Sequence, residues 1–117
     1  GSPCDTYIFD EIDAGISGLT AGIVAENFAE LALNKQIIAI SHLAQIASMS
    51  DRSFLIEKNE KDGKTYTSVN PLNEEQKLYE VVRLIGGKNT DVTALDHAKN
   101  LIGSAKKFKT GVKKQGR

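Results

Sequence analysis

The spacing of apolar residues along this chain changes several times, and each change marks a new element. Thr6-Tyr7-Ile8-Phe9 is an unbroken β-rich run closed by Asp10 and Glu11, the pattern of a strand buried on both faces of a parallel sheet. Beyond Gly15 and Gly18, the apolar residues Ala21, Val24, Ala25 and Phe28 recur at helical spacing while Glu26, Asn27 and Glu30 fall elsewhere. This predicts an amphipathic helix ending near Asn34, with the Ser17 hydroxyl as its N-cap. Gln36-Ile37-Ile38-Ala39-Ile40 is a second buried strand. The connection between the two strands is long enough for a helical crossover, so the strands should be parallel and the unit βαβ.

A short helix is expected from His42 to about Met49, followed by strands over Ser53 to Lys58 and Lys64 to Val69. Asp62-Gly63 between two alternating segments signals a hairpin. Asn73 and Gln76, three residues apart, have the spacing of a capping box and open a helix whose stripe is Leu78, Val81, Val82 and Ile85. Gly86-Gly87 should end it. A last helix from about Asp91 to Phe108 presents Leu95, Ala98, Ile102 and Ala105 on one side. The order β-α-β-α-β-β-α-α predicts an α/β fold: a parallel sheet edge extended by antiparallel strands, with two C-terminal helices.

Composition narrows the class. In 117 residues, 40% are hydrophobic and 26% charged, with two Pro, which fits one globular unit and excludes a disordered or fibrous chain. No apolar stretch nears the roughly 20 residues that cross a bilayer, and the N-terminus lacks the regions of a signal peptide. The expectation is therefore a protein with no membrane partner. The one cysteine, Cys4, has no second thiol for a disulfide, which fits a reducing cytoplasm and a structural role. Residues 1–3, opening Gly1-Ser2, read as the remnant of a cleaved expression tag, so a piece of a longer protein is expected.

The net charge is zero, but from His97 to Arg117 there are seven Lys/Arg and no Asp/Glu. Residues 109–117 are expected to form a disordered basic tail, and Lys106, Lys107, Lys109, Lys113 and Lys114 are expected to add salt-sensitive affinity for nucleic acid.

Candidate chemistry lies at the ends of the two apolar strands. Tyr7-Ile8-Phe9-Asp10-Glu11 delivers two adjacent carboxylates at the C-terminal end of a buried strand, where open α/β sheets bind ligands. Hydrolysis of a nucleoside triphosphate needs one carboxylate for the Mg²⁺ shell and a second group to orient the attacking water. Asp10 and Glu11 suit those tasks. Ser41-His42 follows the neighbouring strand, and strands lie about 4.8 Å apart, so His42 can reach the same rim and contact a terminal phosphate or orient the carboxylate.

These residues resemble a known family. Asp10-Glu11-Ile12-Asp13-Ala14-Gly15-Ile16-Ser17-Gly18 is similar to the Walker B motif and D-loop of the RecN family, SMC-like members of the ABC ATPase superfamily. Ile40-Ser41-His42-Leu43-Ala44-Gln45-Ile46-Ala47 resembles the family's H-loop segment, with Ala44 where a proline and Ser41 where a threonine is usual. Ile56-Glu57-Lys58, Asp62-Gly63-Lys64-Thr65, Arg83-Leu84-Ile85-Gly86-Gly87 and His97-Ala98 match in kind and order, so the resemblance covers about Thr6 to Ile102. His97 is expected to be structural.

The resemblance implies that residues 4–108 are the C-terminal lobe of a P-loop ATPase head of the ABC/SMC type. Asp10 would support Mg²⁺ of Mg·ATP through water, Glu11 would be the general base and His42 the switch histidine near the γ-phosphate. Ala14, Gly15, Ile16 and Ser17 would form a D-loop crossing a head-to-head homodimer interface. DNA, the N-terminal lobe of the same head and a nucleoid-associated cytoplasmic location are the implied partners and place, in double-strand break repair and recombination.

The sequence contains no G-x-x-x-x-G-K-[ST] phosphate loop and no Ser-Gly-Gly signature segment. Both should lie elsewhere in the parent, and this segment alone should neither bind ATP tightly nor hydrolyse it. Other readings are a head from another SMC-like or transporter ATPase, and a non-enzymatic module that binds nucleic acid or a partner.

Overall fold

The computed structural model describes residues 5–10, 15–88 and 90–116. Cys4, Glu11 and Ala14, named above, lie outside the described residues. The elements run β1 (Thr6–Asp10), α1 (Gly18–Leu31), β2 (Gln36–Ile40), α2 (Ala44–Met49), β3 (Ser53–Lys61), β4 (Lys64–Leu72), α3 (Glu74–Ile85) and α4 (Val92–Gly116). This is the expected order, a mixed α/β fold with a parallel βαβ unit, a hairpin and two C-terminal helices.

Strands β1 and β2 pair in parallel from Thr6↔Gln36 to Asp10↔Ile40. Within this chain one face of the pair is covered, and the second cover that the strand pattern calls for is not supplied by the described residues. Phe9 packs on Phe28 of α1, ring centroids 4.8 Å apart, whereas on the opposite face Ile8 is 67%, Ile38 42% and Ile40 41% exposed. Nor does the hairpin extend the parallel pair. Among the described residues β1 and β2 form one two-stranded sheet, and β3 and β4 another.

The hairpin is three residues longer on each strand than the sequence suggested, because pairing runs unbroken from Lys61↔Lys64 to Ser53↔Leu72. Its two-residue turn, Asp62-Gly63, has φ of 53° and 75°, the left-handed pair that matches the twist of antiparallel strands.

Packing is centred on the helices. Val81 and Val82 of α3, Ala94 and Ala98 of α4 and Ala44 of α2 form the buried cluster, ringed by Leu78, Leu84, Ile85, Leu95, Leu101 and Ile102. Helix α1 buries Ala21 and Ala25. The α3 capping box forms as expected, Gln76 N donating to Asn73 Oδ1 at 2.7 Å and Asn73 N to Gln76 Oε1 at 2.9 Å. Gly86 ends α3 in the left-handed region at φ 98°.

Helix α4 continues to Gly116, which corrects the expectation of a disordered tail from 109 on. No proline interrupts it, Ala105 is buried, and Lys109 is tied to Asp51 Oδ1 at 3.0 Å. Among the described residues no helix is long and apolar enough to cross a membrane.

Candidate functional site

Parallel pairing builds the candidate site. Because Asp10 is in register with Ile40, the chain leaves both strands at one rim: Asp10 closes β1, and Ser41-His42 begins the loop after β2. Asp10 and His42 are both exposed there. Ser41 Oγ accepts from Leu43 N at 3.0 Å, a short hydroxyl turn that keeps the backbone extended at Leu43. For that reason α2 begins at Ala44 and not at His42, leaving the histidine in the loop.

The described part of the expected D-loop is Gly15, Ile16 and Ser17. Gly15 has φ +76°, a conformation that costs any residue with a Cβ roughly 1–2 kcal/mol. Ser17 caps α1: its Oγ accepts from Thr20 N at 3.2 Å and donates to Thr20 Oγ1 at 3.1 Å. Gly15 and Ser17 are exposed and Ile16 half-buried.

The helices that follow the two loops, α1 and α2, pack against each other. A Cβ at Gly18 would lie 3.2 Å from Gln45 Nε2, so the first residue of α1 is held close to the segment just past His42. In the sequence Gln45 stands only as one position of a motif; its contact spans residues far apart along the chain and has no local signature.

The donor set bears on the cation. Among the described residues no group of three or more His, Cys, Asp or Glu could hold a metal ion. A lone carboxylate does fit Mg²⁺, which keeps several waters and is held by one or two carboxylates together with the phosphates of its substrate. Asp10 is exposed at the C-terminal end of a parallel strand.

No family model matches the chain. It is 40% identical over 105 residues to the DNA repair protein RecN of Bacillus subtilis, covering 90% of this chain and 18% of that protein. With the RecN of Deinococcus radiodurans it shares 39% identity over 102 residues, 87% of this chain and 18% of the relative. With that of Aquifex aeolicus the figures are 42% over 98 residues, 84% and 18%. The chain thus spans about a fifth of the length of the curated relatives it matches.

A solved structure from work on ATP-driven dimerization and DNA-stimulated activation of SMC ATPases superposes with TM-score 0.56 at 25% identity, over 74% of this chain and 51% of that one. The resemblance read from the motifs is borne out, and the fold is that of part of an SMC ATPase head.

Proposed function

We propose that this chain, a RecN-like segment with the fold of an SMC ATPase head, supplies the Walker B strand, D-loop and H-loop of an ATP-hydrolysing DNA repair protein. The observation that carries the reading is the register of the parallel pair, which sets Asp10 and Ser41-His42 on one rim. Mg²⁺, when bound, neutralises charge on the terminal phosphates. Asp10 would hold its hydration shell, Glu11, the next residue in the chain, would orient and deprotonate the attacking water, and His42 would contact the γ-phosphate.

Gly15, Ile16 and Ser17, with Ala14 before them, would cross a head-to-head interface with a second copy. Support comes from the exposure of Gly15 and Ser17 and from the solved relative, from work on ATP-driven dimerization. The open face of Ile8, Ile38 and Ile40 suits the N-terminal lobe of the same head, whose phosphate loop would grip the nucleotide. DNA as partner and a cytoplasmic, nucleoid-associated place belong to the same reading.

The test is Glu11→Gln in the parent protein. The amide keeps the shape of the side chain but cannot act as a carboxylate base, so ATP binding should persist while steady-state hydrolysis falls by about 10²- to 10⁴-fold. Unchanged turnover removes Glu11 from this role. The 117-residue chain alone should show no tight Mg·ATP binding by calorimetry and no phosphate release, because catalytic positioning is useless without a held substrate. Glu11-dependent turnover by the isolated chain would overturn the division of the site between two lobes.

A further inference from the structure

A second concave site lies at the foot of the hairpin, where the start of β3 and the end of β4 meet α3 and α4. It is a cleft of about 520 Å³, and none of Asp10, Gly15, Ser17 or His42 lines it. Five cations do: Arg52, Lys77, Lys99, Lys106 and Lys109. Against them stand two acids, Asp51 and Glu74, so the cleft is strongly positive in a chain whose net charge is zero.

Geometry concentrates this charge. Lys99, Ile102, Gly103, Lys106 and Lys109 all line the cleft from α4, and at about 1.5 Å of rise per residue the three lysines form a row roughly 15 Å long. Opposite them, Lys77 reaches in from α3 and donates to Ser50 O at 2.7 Å. Lys109 donates to the same oxygen at 3.3 Å and pairs with Asp51. Burial, then the nearby charges of Lys109 and Lys106, lower the Lys77 ammonium from its ordinary 10.5 to about 8. Among the described residues no ion pair engages Lys99 or Lys106.

Unneutralised cations around a cavity are relieved by an anion, and a row of this length calls for an extended one. We propose that this cleft binds the phosphodiester backbone of DNA, with Lys99 and Lys106 making direct phosphate contacts. Duplex DNA carries one negative charge per about 1.7 Å of axis, so a row about 15 Å long faces several phosphates at once. Such contacts position a protein on DNA without reading its sequence. The inference rests on the reading that the parent acts on DNA, and gives that contact a place apart from the nucleotide rim.

The experiment uses the parent protein and a short fluorescein-labelled DNA duplex, with binding followed by anisotropy over a series of salt concentrations. Lys99 and Lys106 are both exposed, so Lys99→Glu with Lys106→Glu should leave the unfolding midpoint near wild type. Affinity should fall more than tenfold, and the magnitude of the slope of log affinity against log salt should fall by about two, near 0.9 for each phosphate that is no longer neutralised. Lys113→Glu with Lys114→Glu makes the same change of charge on the same helix outside the cleft and should cost much less. Equal losses in the two double variants would mean general attraction and overturn the site, as would no loss in the first. A wild-type parent that does not bind the duplex overturns both the site and the DNA reading, whereas one that binds and ignores Lys99 and Lys106 overturns the site alone.

Discussion

Among the described glycines, Gly87 is where the structure makes its sharpest demand on side-chain size. After the left-handed Gly86, the Gly87 amide donates to Val82 O at 3.0 Å, which draws the chain tightly across the end of α3 toward α4. A methyl group on Gly87 would collide with the Ala94 Cβ and lie 3.5 Å from Val82 Cγ1. Neither neighbour can rotate away: Ala94 has no χ angle, and Val82 is fully buried. Gly87→Ala must therefore separate α3 from the start of α4, the two helices that hold most of the buried cluster.

Overpacking of this kind costs about 1–3 kcal/mol, offset in part by the lower entropy of the unfolded alanine chain, about 0.4–1 kcal/mol. A net loss of about 1–2 kcal/mol corresponds to roughly 4–8 °C in the thermal midpoint for a chain of this size. Circular dichroism on the 117-residue chain measures it. Ala94→Gly should destabilise alone, by about 1 kcal/mol for glycine inside a helix. Combined with Gly87→Ala it should cost at least about 1 kcal/mol less than the sum. A Gly87→Ala protein with the wild-type midpoint, or an additive double variant, would refute the packing argument.

Two further perturbations test local features. Ser17→Ala removes the acceptor for Thr20 N and should lower stability by about 1 kcal/mol, with Ser17→Asn close to neutral; in the parent, ATPase loss that Asn does not rescue would show a role beyond the cap. Lys77 sets a pH dependence: its folded pKa is about 8 against an ordinary 10.5, so between those values the unfolded chain binds more protons and stability rises with pH. The stability of wild type relative to Lys77→Met should therefore climb from pH 8 to about 10.5 in urea titrations, and a flat or falling difference would show that Lys77 is not held in a cationic, partly desolvated site.

Much of the chain was legible because its signals are local. The Asn73 and Gln76 capping box, the Asp62-Gly63 turn and the Ser17 cap each act over three or four residues, so short-range hydrogen bonding and φ preference determine them. The helical stripes were equally clear: Val81, Val82, Ala98 and Ala105 are buried as their spacing required. The candidate site was legible as two motifs, Asp10-Glu11 and Ser41-His42. Helix α4 outruns its expected end because a basic composition is no stop signal: lysines suit a helix C-terminus, and the tie from Lys109 to Asp51 is a tertiary contact.

Tertiary structure alone decided the rest. Register brought Asp10 level with Ile40, and no residue in either strand encodes that pairing by itself. An apolar run also does not say which element covers each of its faces: within this chain α1 reaches only the side that carries Phe9, and Ile8 and Ile38 stay exposed. The basic cleft draws on Ser50, Lys77 and Lys109, separated by 27 and 59 residues in sequence and joined at one carbonyl oxygen. The lysines of α4 belong to the basic run visible after His97, but local patterning carries no record of Arg52 and Lys77 beside them.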